Sequence, residues 1–520
     1  MLKTALLLAA AAAGGGPAGD GDAAVSRIVV DTDRSVNCAT VETIVADVTA
    51  GCKTDRDRAV ALFDFMVRTV WMPHVYGQPK EMVGGRLVSV RDPLKVLNVY
   101  GAAGCDIQAD VFCTLADAAG LGARKLDPGF AHGSNEIKWD GKWHWMDVWL
   151  PCYVLDEKGR IYSYDELMAD RSLVAKAVAD GRISPNWMYN PGPDIRTIRK
   201  AGKHRAHPPG SGVKTCRYVE DLALRPGESC TWLWDHVGKW YWPGEKYAFP
   251  AFKFHTSANC KRAFPYWEPY KKVLKGGPHP WNDTHYRYYG NALFEHRVPL
   301  TKSHLAAWGA KLENASFGAD GVRPADPTRP AAVTIAFELP HVIADAEIAG
   351  AFEPAPGGAL LLEYRLDGEK DRRTARRLTE AGRFGPISIG RPNAREYPRG
   401  TVSGRYGYRL RVTLQPGKGV GVLKALTVIH TTMLNFYTRP WLEVGKNTVT
   451  VTAKGDKALK AAPLEITWRW LEDWTREKAF THKVARSGAT AVIRVGGTKR
   501  PKMKSVTLAR PAPDAGRGVE

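Results

Sequence analysis

Long apolar runs are the first thing this sequence lacks. After residue 13 no stretch approaches the ~20 apolar residues of a transmembrane helix, so no transmembrane segment is expected once the first residues are removed. Cys-X-X-Cys pairs and Cys/His ligand spacings are also missing. That excludes a structural zinc site, and neither a metal nor another cofactor is expected. No zinc finger, RNP-like segment or heptad-linked basic helix accompanies the formal net charge of +20. No nucleic-acid partner is therefore expected. The basic residues are spread along the chain, with short clusters such as residues 196–205. They read as a solvated surface, with an anionic glycan or a negative envelope surface as the alternative. No repeat of fixed period appears.

What is present is a globular composition over 520 residues, 44% hydrophobic and 25% charged. That length suggests about three or four domains. Seventeen Trp and 19 Tyr supply large side chains for cores and binding surfaces. Lys3 precedes an Ala/Leu run over residues 5–13, and a small, breaker-rich segment follows. Residues 1–24 therefore read as a signal peptide, and the mature chain as exported to periplasm, cell envelope or medium. Export permits disulfides. The cysteines are Cys38, Cys52, Cys105, Cys113, Cys152, Cys216, Cys230 and Cys260. A helix marked by Val41, Ile44, Val45 and Val48 separates Cys38 from Cys52 by roughly 20 Å, at 1.5 Å per residue. A disulfide needs Cα atoms within ~7 Å, so that pair is not expected. Cys216 and Cys230 flank a hairpin signal and are the expected pair.

Residues 25–190 read as an α+β domain. Thr54 and Asp57 form a capping-box signal, and Ala59, Leu62, Phe63, Met66 and Val70 follow at helical spacing up to Pro73. Another helix runs from Cys105 to about Ala119, with Ala109, Phe112, Cys113 and Ala116 inward, and Gly120 and Gly122 stop it. Residues 132–149 read as a hairpin. Residues 191–212 are rich in Pro, Gly and basic side chains and read as a linker. Beyond them the signals are mainly β: an aromatic-rich small domain over 213–300 and a β-sandwich over 301–435. A small β domain, or the sandwich continued, covers 436–510, and 511–520 reads as a disordered tail.

Chemistry concentrates at one place. Gly101, Ala102, Ala103 and Gly104 lead into Cys105, which opens a helix. A helix N-terminus carries partial positive charge and lowers a thiol pKa. Asp140-Gly141 is a type I′ turn signal. Closing on it opposes Trp139 to Lys142, Ser134 to Asp147 and His132 to Trp149. Strand side chains alternate, so His132, Asp147 and Trp149 share a face and His144 lies on the other. Tyr100 reads as a packing aromatic or as an oxyanion donor. Trp149, Trp240 and Trp242 are candidate substrate contacts. Trp240 and Trp242 alternate as a strand would and stack on sugars or pack between domains.

Cys105, Ala109, His132 and Asp147, in this order, resemble the transglutaminase-like superfamily. Glu136, Asp140-Gly141, Trp143 and residues 121–124 also fall where that family places its strand, turn and post-helix segment. The resemblance covers about residues 40–170. It departs at Ala103, at Gly133-Ser134, at Val148 and in the 27-residue step from Cys105 to His132, all of which bear on substrate preference. It implies a papain-like core and nucleophilic acyl transfer on a peptide or protein substrate. Cys105 would attack a carbonyl, and His132 would protonate the leaving amine. Asp147 would orient His132, and the Cys105 N–H would face the oxyanion. Water as acceptor makes a protease or amidase, and an amine makes a crosslinking enzyme. The alternative is a non-catalytic envelope protein that binds glycan, cell wall or protein through its aromatic β-domains, the sandwich serving as a carbohydrate-binding module.

Overall fold

The computed structural model describes residues 24–70, 79–83, 86–127, 132–149, 152–184, 205–208, 210, 216–235, 237–241, 290–394 and 397–511. The expected signal segment, most of the linker, Trp242, Cys260 and nearly all of the tail lie outside the described residues.

The N-terminal part is α+β. Its helices include Val41–Val48, Asp55–Thr69 and Cys105–Ala118. Thr40 with Thr43, and Thr54 with Asp57, form reciprocal capping boxes that meet the orphan N–H groups at the first two starts. Ala59, Leu62, Phe63 and Met66 bury one face of Asp55–Thr69, so packing and capping agree there. Against the helices lies an antiparallel sheet in the order Lys142–Met146, Ser134–Trp139, Gly122–Asp127 and Arg205–Ala206.

The remainder is mainly β. Ala331–Glu338, Gly407–Gln415 and Ala359–Leu366 are neighbours in a five-stranded sheet. A ten-stranded sheet faces it, and Ile343–Glu353 runs antiparallel along Val422–Leu434 within it. Alternate residues such as Leu360, Leu362, Tyr364 and Leu366 point inward, as a period of two requires. They join Ile335, Phe337, Ile348, Val428 and Phe294 in one hydrophobic core.

Three expected boundaries are corrected. The strand Glu228–Leu233 lies between Gly290–Arg297 and Lys502–Arg510, and Gly290–Arg297 pairs with Val422–Leu434. Segments 213–300, 301–435 and 436–510 therefore share one sheet: 213–300 is not a separate domain, and most strands in the second half of 436–510 continue the sheet of 301–435, as the second of its two readings has it. The strand Ser26–Thr32 pairs with Gly445–Lys454, so the α+β part begins after it and not at residue 25. The end of the 191–212 linker is structured: Arg205–Ala206 pairs with Leu126 and Asp127, and the N–H groups of His207 and Gly210 donate to the carbonyls of Lys125 and Ala123.

Cys216 and Cys230 are not joined. Cys230 is buried in the sandwich core, whereas Cys216 Sγ lies 3.2 Å from Asp92 Oδ1. Cys38 and Cys52 are likewise separate thiols. The two halves meet through a shared apolar cluster in which Trp240, Tyr241, Val342, Ala344 and Met433 join the helices of the α+β part. Among the described residues no helix is long and apolar enough to cross a membrane.

Candidate active site

Cys105 is the first residue of its helix. The N-cap is Gly104, in extended backbone with φ −74° and ψ 172°, and it brings no side-chain cap to the first turn. The helix is held from behind: Asn135 donates from Nδ2 to the Ala109 carbonyl at 2.8 Å and to Cys113 Sγ at 3.2 Å. Across its first two turns Arg91 bridges Asp106 and Asp110, at 2.9 and 2.6 Å. The half-buried Cys105 therefore sits on a fixed platform.

The hairpin brings the other two groups. Asp140 and Gly141 have φ of +50° and +74°, the left-handed pair that a type I′ turn needs. Trp139 pairs with Lys142, Ile137 with His144 and Asn135 with Met146. His132 and Asp147 lie just beyond the paired ends, where the two chains are still adjacent. His132 Nε2 is 2.6 Å from Asp147 Oδ2, and both side chains are buried. The Cys105 side chain hydrogen-bonds the same imidazole. With Nε2 taken by the carboxylate, Nδ1 is the nitrogen available to sulfur.

Gly133 is what allows this approach. A Cβ there would stand 2.9 Å from Asp106 Cα, 3.2 Å from Asp106 N and 3.3 Å from the Cys105 carbonyl. All three are backbone atoms, so a side chain would push the histidine strand off the helix start.

Asp147 is fully buried. Its Oδ1 accepts the Trp149 N–H at 3.0 Å, and its backbone exchanges both hydrogen bonds with Cys152. One carboxylate thus orients His132 and fixes the turn carrying Trp149, whose ring is 5.2 Å from the imidazole at 59°. Burial works against a charged imidazole, but the Asp147 charge and hydrogen bond and the neighbouring Cys105 sulfur outweigh it. They hold the His132 pKa up at about 10. His132 is therefore an imidazolium at neutral pH. An imidazolium and a helix N-terminus are two neighbours that stabilise a thiolate.

The other candidates fall elsewhere. Tyr100 is fully buried, and its hydroxyl donates to Glu81 Oε1 at 3.1 Å, which lends nothing to an oxyanion role. Trp240 is buried at the contact between the halves, so its indole packs instead of facing a sugar. Trp242 lies outside the described residues. His144 stacks on Trp139 at 3.6 Å and bonds the Ile161 carbonyl through Nδ1, and burial lowers its pKa. Among the described residues no group of three or more His, Cys, Asp or Glu is placed to hold a metal ion. Sequence reasoning missed Gly133 and Asn135 as supports. A glycine at the mouth of a strand was the one local signal of a close backbone approach.

No protein-family model matches the chain, and no curated protein matches it. Among solved structures, the full-length RrgB pilus protein from Streptococcus pneumoniae is similar to it at a TM-score of 0.10 and 9% identity, over 43% of this chain. This chain spans 45% of that protein's length.

Proposed function

We propose that the chain is an exported, transglutaminase-like cysteine acyl-transfer enzyme acting on a peptide or carboxamide bond of a peptide or protein. The observation that carries this reading is His132 held between Asp147, at 2.6 Å, and the Cys105 side chain at a helix start. The three residue types have distinct tasks. Cys105 attacks the carbonyl carbon and forms a thioester, passing through an oxyanion that faces the Cys105 N–H. His132 gives its proton to the departing amine. It then takes a proton from the incoming water or amine, which attacks the thioester and releases the Cys105 thiolate beside the recharged imidazolium. Asp147 keeps the ring oriented throughout and favours its charged form whenever it carries the proton. Water as acceptor gives hydrolysis, and a lysine amine gives an isopeptide crosslink.

The test is mass spectrometry of the protein treated with iodoacetamide at pH 6, wild type against His132→Ala. Selective labelling of Cys105 that falls in the variant is the expected result, and it directs a screen of peptide carboxamides with and without an amine acceptor. No labelling, or equal labelling of both proteins, removes the enzyme reading.

A further inference from the structure

We infer that Asn435, contributed by the β half, is a positioning residue for Cys105; this rests on the cysteine chemistry proposed above. Asn435 follows the strand Val422–Leu434 and is fully buried. Its Nδ2 donates to the carbonyls of Thr69 at 2.9 Å and Leu97 at 2.5 Å, and its backbone N–H donates to the Asn98 carbonyl at 3.0 Å. Its Oδ1 accepts the Tyr437 N–H at 3.1 Å. One side chain from the sandwich therefore ties the end of the helix Asp55–Thr69 to the π-helical turn Val96–Tyr100.

That turn is the base of the loop that delivers Cys105. It closes on Gly101, whose N–H donates to the Val96 carbonyl at 2.8 Å with φ +61°. A Cβ on Gly101 would stand 2.8 Å from Asn435 Cγ and 3.1 Å from its Nδ2, so the two residues are fitted to each other. Four residues on, the loop ends at Cys105. The loop is buried at Ala102 and Ala103, and the Ala103 carbonyl accepts from Gln108 Nε2 at 2.8 Å. With little slack in it, a shift at Gly101 passes to the sulfur. His132 is set from the other side by Gly133 on the helix start. The sulfur-to-imidazole geometry is thus fixed by two supports, one of them from a separate part of the fold. π turns are rare and short, and they recur at functional sites.

The test uses the full chain. Asn435→Asp keeps the shape but turns both donors into an acceptor facing two carbonyls, and Asn435→Ala removes the donors without repulsion. Iodoacetamide labelling of Cys105 is timed at pH 6 and pH 8 in protein that is folded by circular dichroism. Leu362→Ala, in the same apolar core but on the strand Ala359–Leu366 of the five-stranded sheet, controls for lost stability. The expected result is a pH 6 rate lowered ~10-fold or more in the Asn435 variants, with the pH 8 rate changed less and the control unchanged; misplacement by about 1 Å has effects of this order. Wild-type labelling in a folded Asn435 variant overturns the inference, and Asn435→Ala decides it if Asn435→Asp does not fold. Absent labelling of the wild type at pH 6 overturns the cysteine chemistry itself, and the inference with it.

Discussion

Replacing Asp147 by Asn should disable Cys105 while leaving its surroundings in place. The two side chains have the same shape, and Asn Oδ1 can still accept the Trp149 N–H. The amide group left facing His132 is then a donor, so it binds Nε2 as an acceptor and leaves the ring proton on Nδ1, toward sulfur. A ring in that state cannot take the thiol proton. In the wild type, a histidine moved from 6.5 to about 10 is favoured as imidazolium by about 5 kcal/mol, at ~1.4 kcal/mol per pH unit. Burial opposes the charge, so without the carboxylate the His132 pKa falls. A thiol with no imidazolium beside it, at an ordinary pKa of ~8.5, is about 0.3% ionised at pH 6. Iodoacetamide labelling of Cys105 at pH 6 should therefore drop ~10²-fold in Asp147→Asn. The same linkage appears in stability. A histidine whose folded pKa is raised stabilises the fold fully below pH 6.5, and that contribution is lost as pH rises through about 10. Wild-type melting temperature should decline across this window more than that of the variant. Labelling of Asp147→Asn at pH 6 at the wild-type rate would refute the assignment of Asp147 as the group that keeps His132 charged.

Further outcomes follow from other parts of the fold. Gly133→Ala should lower turnover ~10²-fold by displacing His132 about 1 Å. By contrast Gly141→Ala, whose Cβ meets nothing but whose φ is +74°, should lower only the melting temperature. Kinetics and melting on both variants separate the two effects. Arg439→Met should cost about 3–5 kcal/mol in urea unfolding, because it leaves Glu220 buried without its guanidinium. Burial opposes the Glu220 charge, but Arg439 and His341 hold its carboxyl far below the usual range. That stability is present above about pH 4.5 and lost on acidification, so the wild-type urea midpoint should fall in acid more steeply than the variant's. A fragment of residues 33–210 should show no cooperative melting by circular dichroism, since its core is completed by Trp240, Val342 and Met433.

The hairpin and the helices of the α+β part were legible because local chemistry decides them. Asp140-Gly141 accepts positive φ at both positions, and that one turn sets the pairing back to Asn135 and Met146. Thr54 and Asp57 cap a helix whose buried residues recur at helical spacing. His132 and Asp147 were placed on one face by alternation alone. What alternation did not show is how close that face comes to Cys105. The backbone contact at Gly133 joins residues far apart in sequence, and before folding a glycine looks the same wherever it is needed.

The divisions within the β half were misplaced for the converse reason. Its strands were visible as alternating segments, but a strand's sequence says which face is buried and not which strand it pairs with. Glu228–Leu233 finds Lys502–Arg510, and Ser26–Thr32 finds Gly445–Lys454, each across hundreds of residues. Dividing the chain at turn-rich gaps therefore cut through one sheet. The same long-range pairing carries Asn435 to the base of the Cys105 loop, where no local pattern announces it. Because the α+β part finishes its core with residues from the sandwich, the two parts fold as partners. A substitution in the sandwich that moves the strand Val422–Leu434 is then expected to reach Cys105 through Asn435 before it reaches His132, whose support at Gly133 lies within the α+β part.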